Sequence, residues 1–558
     1  MLPAKYTRFW VGHRSSVELM LAVIGGLVLL VWLVACANAA TLLTTRMLGR
    51  RRELLIRQAL GASRARLGKQ LLLEALMLAL PSALLGTSCT VLLSSALEAG
   101  RALFRIPIRL DMGLDARSLT IVAALTVASA LFLVLVSALS ALRRGDASTP
   151  MTALLGDRSG EGAGVQRGAF SLRRLLVLAQ VAGAATLLVV SALLIQSVRQ
   201  LQDVDAGFDT SAPVAMTSID LSLSDRVSVD EHLALRLRRG LLEQLRAVPG
   251  VETVSLADRP PLSMVKSTLT LAANGSQPER SVAYTVASSD YFQTIGLPLI
   301  AGRGFRESDA GEPVSVVVNE LLAQQLARDA RPLGQPLVLR MGETLLDAQI
   351  VGVAKNATTT LLREPPAPHL YVPHTHVRRN QPTVLFRSAM QPGAVEGALR
   401  DALRAVDPHL PAPKLTTLSE MITGSMAQER LLAVAAAGAA LVAMLLAMLG
   451  LYGLTTYFVI QRQRELGIRM AMGASRGDMT NLVLAQGLVP AVAGVAVGLT
   501  VAAVASTALA SFVYGIAVRD PFSYAGVALL LLAATTGASA GAVRRAWAID
   551  PAVLLRTE

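Results

Sequence analysis

Charge is what this chain has least of. Asp, Glu, Lys and Arg make up 16% of its 558 residues, whereas soluble domains of this size are nearer a quarter charged. Aromatic residues are only 4% of the chain, and no aromatic cage, metal cluster or charged funnel names a ligand. The two cysteines, Cys36 and Cys89, both fall in apolar stretches, so no disulfide framework holds a domain together. A phosphate-cradling Gly-x-x-x-x-Gly-Lys-Ser/Thr is missing: six residues separate Gly61 from Gly68 in the nearest candidate, and Gln70 follows Lys69. No nucleophile-elbow sequence occurs. His374 and His376 have no third ligand at metal spacing, and Pro373 beside them reads as a loop. The chain is therefore not expected to be an enzyme, to bind a metal or to bind a cofactor directly.

What it has instead is apolar length. Residues 19–45, 118–142, 175–198, 431–460, 479–518 and 521–543 contain no charged residue, and 71–97 contains only Glu74. Each exceeds the roughly 20 residues that cross about 30 Å of hydrocarbon as a helix. Seven spans are expected in the lipid bilayer, with a large polar block left between Arg199 and Glu429. The net charge of +13 would suit nucleic acid, but its distribution does not. Arg and Lys cluster in 46–69, 143–174, 461–478 and 544–558, whereas the turn at 514–522 carries Arg519 alone. That is the positive-inside bias, which needs no nucleic-acid partner. It places the polar block outside the cytoplasm.

The chain also repeats itself. Residues 50–64 return as 462–476, with Arg50, Arg52, Glu53, Leu54, Ile56, Arg57, Ala59, Gly61, Ala62, Ser63 and Arg64 identical at a constant offset. Arg143, Arg144 and Pro150 echo as Arg544, Arg545 and Pro551. Two homologous three-span units follow, with one further span and the polar block between them. Residues 145–168, rich in Gly, Ser and Ala, read as a flexible linker. In the polar block, 313–319 and 347–354 alternate as strands, while 231–248, 320–328 and 394–406 carry helical periods. The expectation is a mixed α+β domain, with one domain or two interleaved subdomains left open.

The repeated segment is too charged to cross a bilayer, yet it abuts a span on each side. A short helix along the inner membrane surface fits it, with Leu54, Ala59 and Leu60 on an apolar face and the arginines toward water. Gly61 and Gly473 suit a left-handed helix end. Ser63 and Ser475 can cap the next helix, and Ser475 with Asp478 has capping-box spacing. Recurrence of one loop chemistry in two divergent halves implies two equivalent cytoplasmic partners. Elsewhere, Glu74 reads as a proton-relay carboxylate or as an interfacial residue, its copy being Gln486. Gly494 and Gly498 have the spacing of close helix packing.

At this motif the sequence resembles the FtsX-like, MacB-like permeases of ABC transporters. The outer block resembles that family's periplasmic core domain at Ser288–Phe305, Val318-Asn319-Glu320, Gly334-Gln335-Pro336, Val351-Gly352-Val353, Arg363-Glu364-Pro365 and Tyr371-Val372-Pro373. The duplicated plan is similar to that of acidobacterial-type orphan permeases. Measured against it, the first span and first periplasmic domain are expected to be missing. The resemblance implies an α-helical polytopic protein of the bacterial inner membrane with an inserted α+β extracytoplasmic domain. Its expected divisions are 1–17, an extracytoplasmic remnant; 18–143, the first permease unit; 144–172, a cytoplasmic linker; 173–199, an opening helix; 200–428, the periplasmic core; 429–546, the second permease unit; and 547–558, a tail. It further implies coupling loops at Arg52, Glu53, Ile56, Arg57, Gly61, Ala62 and Ser63, and at Arg464, Glu465, Ile468, Arg469, Gly473, Ala474 and Ser475. Their implied partner is a cytoplasmic ABC ATPase dimer, which would use the ATP, with a periplasmic adaptor or effector beyond it. The implied activity is efflux or export driven through movement of the outer domain. The alternatives are a regulator of periplasmic cell-wall enzymes and a truncated, non-functional remnant.

Overall fold

A computed structural model describes residues 14–49, 56, 64–104, 115–142, 163–219, 240, 242–263, 266–272, 279–306, 308–309, 311–326, 332–377, 382–390, 392–406, 415–508, 514–515 and 520–547. The chain divides into two compact units, Met1–Arg199 with Glu429–Glu558, and Gln200–Gln428.

The first unit is helical. It comprises α1 (Arg14–Gly49), α2 (Arg64–Phe104), α3 (Ala116–Leu142) and α4 (Ala163–Gln202), and later α9 (Ala427–Gln461), α10 (Gln463–Ala471), α11 (Arg476–Ala508) and α12 (Pro521–Trp547). Seven helices are long and apolar enough to cross a membrane: Glu18–Leu43, Lys69–Leu92, Ala116–Val136, Arg173–Gln202, Ala427–Gln461, Arg476–Thr507 and Pro521–Arg545. Two boundaries differ from the sequence reading. The run 479–518 outlasts its helix, which ends at Ala508; the Tyr514 N–H donates to Ser197 Oγ at 2.9 Å and Gly515 takes φ +70. Helix α4 begins at Ala163, inside the segment read as a linker. Nothing in 163–172 is a proline, so the glycines there weaken the helix without stopping it.

Helix α4 is the most enclosed span, with 67% of its apolar stretch buried, against 6% for α2. Val177, Val181, Ala184, Ala185, Leu187 and Leu193 of α4 pack with Leu432, Ala436, Ala443 and Leu451 of α9 and Ala491, Val495 and Ala502 of α11. Glycine makes the closest approach possible. A Cβ at Gly494 would stand 2.8 Å from the Leu178 carbonyl oxygen, and one at Gly498 would stand 2.5 Å from that of Ala182. The four-residue glycine spacing thus does what it does in other membrane helix pairs, letting backbones touch.

The second unit contains β1 (Val214–Ser218), β2 (Val251–Ala257), β3 (Ser267–Leu271), β4 (Arg280–Ala287), α5 (Tyr291–Ile295), β5 (Leu299–Gly302), β6 (Val314–Asn319), α6 (Glu320–Leu326), β7 (Pro336–Met341), β8 (Thr344–Ala354), β9 (His369–Pro373), β10 (Thr383–Ser388), α7 (Pro392–Val406), β11 (Thr416–Thr417) and α8 (Leu418–Ser425). It settles the question of subdomains, because two separate cores form. In one, strands ordered β11-β1-β10-β2 carry Ala215, Val254, Leu256, Val384 and Phe386 against Val395, Leu399 and Leu403 of α7. In the other, β4 pairs with β3, then β7, β8, β6 and β9 follow, and β9 pairs back onto β4. That closed ring leaves no open edge among its six strands. Val282, Val316, Leu339, Ile350 and Val372 line its core with Leu322 and Leu326 of α6.

The motifs quoted from this block prove to be joints of the ring. Asn319 is buried and fully used: its Oδ1 accepts from the Leu322 and His369 N–H groups at 3.0 and 2.9 Å, and its Nδ2 donates to the Ala367 carbonyl at 2.8 Å. Tyr291, Phe292, Phe305 and Tyr371 stack into one aromatic group, with Phe292 5.2 Å from Tyr371 and 5.6 Å from Phe305. Gly296 ends α5 at φ +67, a conformation costly for any residue with a Cβ.

Candidate functional site: a capped helical hairpin

The second copy of the repeat forms a hairpin at the junction of α9 and α11. Helix α9 does not run straight on. Arg462 leaves it with its N–H on the Phe458 carbonyl at 3.2 Å and its guanidinium 5.1 Å from the Phe458 ring. Helix α10 then covers Gln463–Ala471, and Arg462, Glu465 and Arg469 form a ladder along it: Glu465 meets Arg462 at 3.5 Å and Arg469 at 2.7 Å. Exposed pairs at these spacings contribute a few tenths of a kcal/mol each. The stronger anchor is apolar. Leu466, 1% exposed, packs with Phe458, Val459, Met479, Val483, Ala542 and Val543, with Met470 and Ala474 against the edge.

Both ends of the turn are closed by hydrogen bonds. Gly473 adopts φ +94; the Ala474 N–H returns to the Arg469 carbonyl and the Gly473 N–H to that of Met470, each at 3.0 Å. This is the doubled bond of a Schellman ending, and it needs a left-handed residue where Gly473 stands. Immediately after it, Ser475 and Asp478 cap α11 reciprocally. The Asp478 N–H donates to Ser475 Oγ at 3.2 Å, and the Ser475 N–H and Oγ–H donate to Asp478 Oδ2 at 3.0 and 2.7 Å. Trp547 Nε1 donates to Thr480 Oγ1 at 3.1 Å, which ties the end of α12 to the same corner.

The apolar face read at Leu54, Ala59 and Leu60 lies outside the described residues; their counterparts in the second copy are Leu466, Ala471 and Met472. Only Leu466 is buried; Ala471 is exposed, and Met472 is 83% exposed. At 100° per residue, positions six apart lie 240° apart around a helix, so Leu466 and Met472 cannot share a face. The outward face instead combines Ile468 (43% exposed) and Met472 with Glu465 and Arg469. Arg464 lies within α10, but its side chain is outside the described residues. In the first copy, Arg52, Glu53, Arg57, Gly61, Ala62 and Ser63, with Leu54, Ala59 and Leu60, lie outside the described residues. Ile56 is described: it is helical and 45% exposed, as its counterpart Ile468 is. Sequence reasoning missed the Leu466 anchor and the Trp547 tie. Only Phe458-Val459 one turn before the motif hinted at the first.

Among the described residues no group of three His, Cys, Asp or Glu side chains could hold a metal ion. His374 and His376 lie in the turn after β9.

Comparison with known families decides the context of this hairpin. The model of the FtsX-like permease C-terminal domain matches residues 25–145 and 437–551, so both repeat copies fall within it. The model of the MacB-like periplasmic core domain matches 118–405, more than half of the chain. The chain belongs to the MacB-like permease family. A macrolide export ATP-binding/permease protein MacB from Neisseria meningitidis is 28% identical over 236 residues, covering 40% of this chain and 35% of that one. MacB 1/2 of Paracoccus denitrificans is 26% identical over 328 residues, covering 54% and 45%. The crystal structure of the periplasmic region of MacB from Actinobacillus actinomycetemcomitans aligns with a TM-score of 0.26 at 16% identity, over 38% of this chain and 91% of that one. The chain thus matches less than half the length of these two curated relatives, 35% and 45%. As a MacB-like permease it is a multi-pass inner-membrane protein whose Gln200–Gln428 unit is extracytoplasmic. Because α9 starts at the end of that unit, the hairpin that follows α9 lies on the cytoplasmic side.

Proposed function

We propose that the protein is the permease subunit of an ABC transporter, and that each copy of the hairpin docks on one subunit of a separately encoded ATPase dimer. The observation that carries this reading is the build of α10. Its inward side is pinned by Leu466, its turn is closed by Gly473 and Ser475, and its outward side offers Ile468 and Met472 beside a charged ladder. A short, rigid, capped helix with an apolar centre and a polar rim is suited to enter a groove on a soluble partner. The motif occurs twice with eleven of its fifteen residues identical, which matches a partner with twofold symmetry. ATP would be bound and hydrolysed by that partner, since the 558 residues carry no phosphate-cradling loop. Movement of the spans relayed to the extracytoplasmic domain would then serve efflux or export, as the name of the MacB relatives describes for them.

Ile468→Asp with Met472→Asp and Ile56→Asp changes exposed side chains and leaves the anchors intact. The triple variant should insert and elute as the wild type does, yet lose co-purification with the cognate ATPase. Retention of the ATPase at wild-type yield overturns the coupling assignment.

A further inference from the structure

The extracytoplasmic unit holds a pocket that plays no part in the docking of an ATPase. It lies between the residues after β2, the start of β3, the strand β4, the helix α5 and the segment before β9. Its volume is about 20 Å³, room for about two heavy atoms of a ligand. One side is open to solvent.

Part of the wall is already satisfied. Thr285 Oγ1 and His369 Nε2 lie 3.0 Å apart and share a hydrogen bond. Lys266 Nζ and Thr360 Oγ1 both donate to Glu364 Oε2, each at 2.7 Å, so the Lys266 charge is matched. Asp258 is not among the lining residues, and its Oδ1 accepts the Val286 N–H at 2.9 Å.

Two features of the wall are not satisfied, and they are independent of each other. Tyr291 lines the pocket and is 3% exposed, yet its hydroxyl makes no hydrogen bond among the described residues. Burial, with Tyr371 and Asp258 nearby, pushes that hydroxyl well above its ordinary pKa, so it keeps a proton to donate. A buried hydroxyl without a partner marks a place where a bound group belongs. The half-buried Arg259 donates from Nε to Ser267 Oγ at 3.0 Å but makes no ion pair among the described residues. Both of its Nη groups are left to donate. Thr359, also on the wall, adds a hydroxyl without a hydrogen bond among the described residues.

The wall therefore carries one unmatched positive charge, with unpaired donors around it. A guanidinium fork meets a carboxylate through parallel hydrogen bonds. A tetrahedral oxyanion such as phosphate is too large for the volume. We propose that this pocket binds a carboxylate group, held by the Arg259 guanidinium with the Tyr291 and Thr359 hydroxyls donating to it. The carboxylate can belong to a small acid or to the carboxyl terminus of a peptide whose remainder stays in the open mouth. The pocket is independent of the ATPase docking proposed above and can fail or hold without it.

The test uses the full chain in detergent micelles and reads the transverse relaxation of probe protons by NMR. Acetate stands for the small acid, N-acetyl-dialanine for the peptide terminus, and N-acetyl-dialanine amide for the same peptide without its charge. At least one carboxylate should be relaxed at least fivefold more than the amide. An excess for both probes assigns recognition to the carboxylate alone, and an excess for the peptide acid only adds the peptide to the ligand. Arg259→Gln should lower the excess at least fivefold, and Tyr291→Phe, which keeps the ring, at least twofold. Arg400→Gln on α7 should leave it unchanged. Because the Tyr291 hydroxyl holds nothing within the chain, Tyr291→Phe should also unfold at the wild-type temperature. Equal relaxation of acids and amide overturns the proposal, and so does an excess that survives Arg259→Gln or Tyr291→Phe. An equal loss in Arg400→Gln would mean general attraction to a basic chain, and displacement of the acids by an equal concentration of inorganic phosphate would assign the pocket to tetrahedral oxyanions. A lowered unfolding temperature in Tyr291→Phe would give the hydroxyl to the fold. Each of these results overturns it as well.

Discussion

Helices α2 and α11 descend from one repeated segment, and both start at the arginine that closes the motif. Yet 33% of the apolar stretch of α11 is buried and 6% of that of α2. Gly494 and Gly498 are sealed by α4 in one copy, whereas their counterparts Ser82 and Gly86 face outward in the other. A repeat therefore conserves the helix and its loop, while burial is set by which neighbour arrives. The docking proposed for the loop extends to both copies by their shared sequence, whereas stability arguments built on the second copy do not transfer to the first.

The largest effect that would break this contrast is steric. Gly498→Leu should destabilise the membrane unit by about 3 kcal/mol, at the upper end of overpacking costs, because the new side chain meets backbone oxygen that cannot move aside. Gly86→Leu should change it by less than about 0.5 kcal/mol. Unfolding both variants in mixed micelles measures the difference, and equal effects would mean that the two faces are equally filled.

The extracytoplasmic unit belongs to neither copy and gives a reference of similar size. Burial pulls the pKa of the His369 imidazole down to about 4, and its ring contacts Thr285 Oγ1 at 3.0 Å. Between about pH 6.5 and pH 4 the unfolded chain binds a proton that the folded domain refuses, so stability is complete above that window and falls as pH drops through it. The loss should reach about 3 kcal/mol by pH 4. His369→Gln should flatten this part of the pH profile of thermal unfolding of residues 200–428, while neither Gly variant should alter its shape.

A smaller effect sharpens the account of the hairpin. Ser475→Ala removes the cap of α11 and should cost about 1 kcal/mol, seen as faster amide exchange at 476–479 with the remainder of α11 unchanged. Smallest in stability is Met472→Ala. Its side chain is 83% exposed, so unfolding should shift by under about 0.5 kcal/mol, although ATPase affinity should fall severalfold. A large loss of stability instead would show that Met472 supports the hairpin.

Much of this was legible beforehand because it depends on local chemistry. Six charge-free runs and a seventh carrying only Glu74 marked the seven spans, and the Gly473 turn and Ser475–Asp478 box followed from spacing. The alternation in 313–319 and 347–354 gave β6 and β8. What escaped was non-local. The ring closes through parallel pairings of β4 with β9 and β6 with β8, between segments far apart in sequence. Likewise, Gln486 signals its role only once α4 brings Arg174 to it. The outward placement of Met472 also escaped, because apolar identity near a helix end does not fix the angle at which a side chain leaves it.

The central claim is that both hairpins bind, one to each subunit of the ATPase dimer, and native mass spectrometry of the permease with saturating cognate ATPase tests it most directly. The wild type should carry two ATPase subunits. An ATPase variant unable to dimerise should occupy both hairpins of the wild type, and only one when Ile468→Asp with Met472→Asp, or Ile56→Asp alone, disables the other. Two bound subunits in a permease carrying all three changes would contradict the account.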